Sequence, residues 1–173
     1  MIVSHSANPS LRACILMACW LSGASVVAFG HGAYHDVVAD LNAKLAVTPD
    51  DVDLRFRLAA AHVEHGEWKA CLEEVAKVEA LSGGAIRTTY LSGKALAGEG
   101  KLVPALSDLD AFLEAEPGHQ LALIERARVR VKLGQVEAGF VDYEAALATS
   151  APAEVYVEAV EALRRHDRTE EAF

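Results

Sequence analysis

Apolar residues at Val37, Val38, Leu41 and Leu45 recur on one face of a 3.6-residue period, so the stretch from Tyr34 to Val47 reads as a one-sided helix. Thr48-Pro49-Asp50-Asp51 ends it, and either aspartate can cap the helix that follows. Beyond this point helix-length segments alternate with breaks. Gly66, Gly100 and Gly134 form one series of breaks; Pro49, Gly83, Pro117 and Ala151, with Pro152 beside it, form the other, and both advance by 34 residues. Each period is therefore helix, turn, helix, turn. Helices are predicted near 52–65 and 68–80, near 85–98 and 102–115, and near 119–133 and 136–148, with a further first helix near 153–166. Pro104 falls in the first turn of its helix, where a missing N–H costs little.

Small residues keep the same phase. Ala59, Gly93 and Ala127 occupy one slot of the first helix, where the paired helix must cross closely. With the Leu58-Ala59 pair, the Gly66-x-Trp68 turn, Ala105 and Pro117, this pattern resembles the tetratricopeptide (TPR) family over roughly residues 52 to 173. The resemblance implies an all-α helical-hairpin solenoid. It has three full repeats at 52–85, 86–119 and 120–153, a partial fourth at 154–173, and a cap half-repeat at 31–51. The sequence departs from the family pattern at His62, Leu96 and Arg130, where an aromatic is usual, at Gly139 in an alanine place, and at Arg168 where the next turn glycine would stand. The fourth repeat stops a few residues into its second helix, and two expectations follow: that short piece packs loosely as a cap, or the chain is truncated and exposes an apolar face on which a second copy or a partner can dock.

An apolar fraction of 52 % with five prolines in 173 residues points to one folded unit. Residues 1–30 carry a single charged side chain, Arg12, ahead of an apolar run from Ala13 to Gly30, which reads as a signal peptide with cleavage before His31. The expected location is thus periplasmic or secreted; an uncleaved membrane tether is the alternative. Loss of that segment would leave Cys71 as the one thiol, in a small second-helix slot that fits a buried hydrophobe. The net charge of −9 becomes −10 without Arg12, a balance that argues against nucleic-acid binding.

The resemblance also assigns a binding face. First helices of stacked TPR hairpins line the concave side, and their inward places point to a peptide groove of Phe56, Arg87, Tyr90, Lys94, Ile124, Arg128, Val131 and Arg165. From the second repeat on, bases gather on the first helices (Arg87, Lys94, Arg126, Arg128, Arg130, Lys132, Arg164, Arg165). Acids gather on the second helices (Asp108, Asp110, Glu114, Glu116, Glu137, Asp142, Glu144). Lys94 and Arg128 share a slot one period apart and form a pair able to hold a carboxylate, with Phe56, Tyr90 and Ile124 as an apolar strip beside them. The competing reading is that these bases neutralise the acidic second helices within the molecule. The family's dicarboxylate clamp is incomplete, because its Asn partners are missing.

Trp68 reads as a turn aromatic packed on the next hairpin. No phosphate loop, nucleophile elbow, His-Glu-x-x-His or Cys-x-x-Cys motif occurs, and the expectation is a chain that is no enzyme and carries no cofactor. His62 and His65 lack a third ligand for a metal. The expected function is a protein-interaction scaffold that binds an acidic or extended peptide. The alternative is a small copper-handling protein that chelates through His31, as a free N-terminus, and His35.

Overall fold

The computed structural model describes residues 32–84 and 88–148, together with Val157 and Glu161. Seven helices fill the two long stretches. A helix at 32–47, α1, precedes α2 (Val52–Glu64), α3 (Trp68–Ser82), α4 (Thr89–Gly98), α5 (Leu102–Ala115), α6 (Gln120–Lys132) and α7 (Val136–Leu147). The architecture is an all-α array of antiparallel hairpins, α2/α3, α4/α5 and α6/α7, with α1 packed on the first through Leu41, Leu45 and Leu58. Residues 1–30, read from the sequence as a signal peptide, together with His31, Arg87 and nearly all of the expected fourth repeat, lie outside the described residues; Val157 and Glu161 are helical.

The turns follow local chemistry. Gly66, Gly100 and Gly134 hold φ of 81°, 79° and 78°, a left-handed conformation that an L side chain adopts only with strain, which is why the 34-residue glycine series marks the tight turn inside each hairpin. Asp51 caps α2 by accepting from the Leu54 N–H, and the His119 ring nitrogen does the same for α6 with Ala122. α4 begins at Thr89 rather than near 85. Gly83 and Gly84 both take positive φ, and buried Thr88 donates its hydroxyl to Glu79 on α3, so the chain is tied down before the helix starts.

Packing repeats with the same step. Cys71, Val75 and Ala95 form the seam between the first two hairpins, and Ala105, Leu109 and Val129, each 34 residues on, form the next. At the crossing slot Ala59 and Ala127 are fully buried, and a Cβ on Gly93 would lie 2.9 Å from the Leu109 side chain, so the small residue is set by the approach of α5. Gly139 is equally constrained: its Cβ would meet Val131 at 2.9 Å and the Ala127 carbonyl at 3.1 Å. Along the array α2 touches α4 and α4 touches α6, whereas no comparable contact joins α3 to α5 or α5 to α7. First helices therefore lie nearer to one another along the array than second helices do.

Candidate functional site

The cationic side chains separate into two sets. Arg126 and Arg130 point from α6 towards the second helices. Arg126 donates to Asp142 through Nε (2.9 Å) and Nη2 (2.7 Å) and to Asp110 through Nη1 (2.8 Å), while Arg130 adds bonds to Asp142 (2.9 Å) and Asp110 (3.3 Å). Burial disfavours the Arg126 charge, but the hydrogen bonds and field of Asp142, with those of Asp110, outweigh it and raise its pKa. For these two arginines intramolecular neutralisation describes the arrangement. One of the two acids, Asp142, belongs to a periodic slot: Glu74, Asp108 and Asp142 stand 34 residues apart, and each is bound by its own hairpin's first helix, through Arg55, Ser92 and Arg126 respectively.

Lys94 and Arg128 face the other way. Together with Trp68, Ala97, Gly98, Glu125, Val129 and Lys132 they line one cleft of about 310 Å³ between the second and third hairpins. Lys94 Nζ lies 2.6 Å from Glu64 Oε1, and Arg128 Nη1 lies 2.8 Å from Glu125 Oε1. Lys132 is exposed and has no ion-pair partner among the described residues. The apolar part of the wall is Trp68, whose indole rests on Gly98 so closely that a Cβ there would sit 2.4 Å from the ring. Trp68 thus packs on the neighbouring hairpin and lines the cleft at the same time.

The other expected groove residues are distributed differently. Ile124 is buried at 4 % exposure within the core around α6 and α7; Tyr90 is half-buried, its ring 5.5 Å from Phe112 and 5.3 Å from His119; Phe56 packs on the seam around Cys71. The fifth place of the repeat therefore fills the seam between hairpins and is not an open strip, because stacking needs apolar flanks on the first helices. Burial pushes the Tyr90 phenol pKa up, Glu125 and Glu64 add to the shift and Arg128 opposes it. Val131 packs on the core and against the Gly139 backbone. Arg87 and Arg165 lie outside the described residues. The thirteenth place, Glu64, Gly98 and Lys132, was missed; it lies one helical turn beyond Ala60, Lys94 and Arg128, and the same 34-residue step identifies it.

At the N-terminal end the Tyr34 hydroxyl is hydrogen-bonded to His62 Nδ1 at 2.8 Å, and its ring stacks on His65 at a centroid separation of 3.8 Å. His35 is exposed on α1; His31 lies outside the described residues. Among the described residues no group of three His, Cys, Asp or Glu side chains is placed to hold a metal ion, and no helix is long and apolar enough to cross a membrane. Cys71 is buried, its thiol pKa pushed up to about 11 by desolvation.

Among solved structures the fold is similar to that of the MamA RS-1 ArsTM double mutant, MamA being a TPR-type protein. The TM-score is 0.58 and the identity 16 %, over 71 % of this chain and 69 % of that chain. No family model and no curated protein matches the sequence. At this identity the likeness shows a TPR-like helical repeat fold.

Proposed function

We propose that the protein is an interaction scaffold and that the cleft between its second and third hairpins holds a carboxylate-bearing segment of a partner protein. The TPR-like fold supports protein partners in general, since such arrays expose the inner faces of their first helices as binding surface. The observation that carries the finer reading is the convergence of Lys94, Arg128 and Lys132 from two hairpins on one cleft, in a chain whose net charge is −9. A cationic recess on an acidic body attracts acidic segments and repels the rest of the surface of a like-charged neighbour.

A fluorescently labelled peptide of alternating glutamate and alanine tests this. It is expected to bind the wild type, and the double variant Lys94→Glu, Arg128→Glu to lose about tenfold or more in affinity, because each reversal turns attraction into repulsion. Equal binding by both proteins removes the cleft as the contact.

Export through residues 1–30 belongs to the same proposal, resting on the Ala13–Gly30 apolar run. Intact-mass measurement of protein recovered from its host checks it: a mass lacking those residues is expected, and a full-length mass refutes cleavage. No geometry among the described residues favours the copper reading.

A further inference from the structure

Two of the three cations of the cleft already carry carboxylates. Glu64 occupies Lys94 from the first hairpin, and Glu125 occupies Arg128 from one turn away on the same helix. These pairs show which chemistry the cleft selects, and they differ in how firmly they are held. The Glu125 side chain is 15 % exposed and fixed within α6; that of Glu64 is 67 % exposed, at the end of α2, while Lys94 beneath it is 18 % exposed. Glu64 also borders a separate hollow lined by Ala33, Tyr34, Val37, Ala61 and His65, so a carboxylate that leaves Lys94 has open space to turn into.

Beside the cations lies an apolar wall built without polar side chains. Trp68, Ala97 and Gly98 contribute it, with fully buried Val129 behind them, and the absence of a Cβ at Gly98 lets the indole lie against α4. A bare carboxylate would leave this wall wet. A side chain that covers it gains from burial in a way that charge alone does not supply.

Building on the reading of this cleft as an acidic-peptide site, we infer that it recognises an aromatic or large apolar residue flanked by acids, and that binding exchanges the Glu64 carboxylate on Lys94 for one from the partner. The apolar side chain lies on the Trp68 wall. One flanking carboxylate takes the place of Glu64 on Lys94, and the other is met by Lys132 and Arg128. Glu64 then acts as an internal competitor: it keeps Lys94 neutralised while the cleft is empty and sets the affinity a ligand must exceed.

The test uses the full chain and three labelled peptides: a phenylalanine between glutamates, the same peptide with alanine at the centre, and the same peptide with glutamines as flanks. Glu64→Gln, which keeps the size of the side chain and removes its charge, is expected to tighten the phenylalanine–glutamate peptide about two- to fivefold, the release of one exposed ion pair. Replacing the central phenylalanine by alanine is expected to weaken binding about tenfold, and glutamine flanks to abolish both effects. Tight binding by the wild type with no gain, or a loss, in Glu64→Gln overturns the exchange while leaving the acidic-peptide site in place. Equal affinity for the phenylalanine and alanine peptides overturns the apolar recognition. Failure of every peptide on both proteins overturns the site itself, and the exchange with it.

Discussion

Replacing Asp142 by alanine isolates the carboxylate on which the third hairpin depends. The residue is 2 % exposed, and its two oxygens accept three charge-assisted bonds from Arg126 and Arg130, at 2.7–2.9 Å. Its removal leaves two guanidinium groups whose side chains are 17 % and 19 % exposed, with Asp110 as their remaining acid. Breaking a buried pair outright costs about 3–5 kcal/mol, chiefly through the charge left behind. The retained Asp110 contacts and the partial exposure reduce that here to about 2–3 kcal/mol. For a domain of this size the melting temperature should fall by roughly 5–10 °C. Urea unfolding followed by far-UV circular dichroism measures the free energy. A loss below about 0.5 kcal/mol would refute the argument, because it is no more than an ordinary surface substitution costs. A companion variant sharpens the result: Asp142→Leu with Arg126→Met and Arg130→Met removes acid and bases together, and is expected to recover most of the loss, since no uncompensated charge remains. If it is as unstable as Asp142→Ala, the cost comes from lost packing and not from unpaired arginines.

Gly93→Val should destabilise by about 1–3 kcal/mol, since the crossing helix leaves its first carbon 2.9 Å from Leu109; an unchanged urea midpoint would show that α5 moves aside freely. Burial holds the His62 pKa below the ordinary histidine value despite the nearby acids Glu74, Glu67 and Glu73. The unfolded chain therefore takes up its proton first, so this stability is complete above about pH 6.5 and is lost as the pH falls through the lower folded value. Melting temperatures near pH 5 should therefore fall more in the wild type than in His62→Gln, which has no titrating ring. With a thiol pKa near 11 and no exposure, Cys71 should resist alkylation in the native protein and react on unfolding; peptide mapping that finds equal labelling in both states would refute its burial.

Much of the fold was legible because local chemistry carries it. A left-handed turn admits glycine almost alone, so Gly66, Gly100 and Gly134 announce the hairpins in any single sequence. A close helix crossing admits only small side chains, which marks Ala59, Gly93 and Ala127 in the same way. The start of α4 was misplaced because the Gly83–Gly84 turn and the tie from Thr88 to Glu79 join separate elements. The candidate site was legible in part. Lys94 and Arg128 share a period and line one cleft, yet Tyr90 and Ile124 share a period equally well and pack the seams.

By itself, the sequence determined the all-α repeat, its 34-residue step, the hairpin turns and the segregation of bases from acids between alternate helices. Only the tertiary structure decided what each base meets. Arg126, Arg128 and Arg130 follow one another at alternate positions of α6, and a helix rotates about 200° over two residues, so their side chains leave on different sides. Arg126 and Arg130, four apart, share the side that meets Asp142; Arg128 turns to the cleft beside Lys94. That division follows from how neighbouring hairpins are set against one another, a relation between distant segments that local residue preference does not encode.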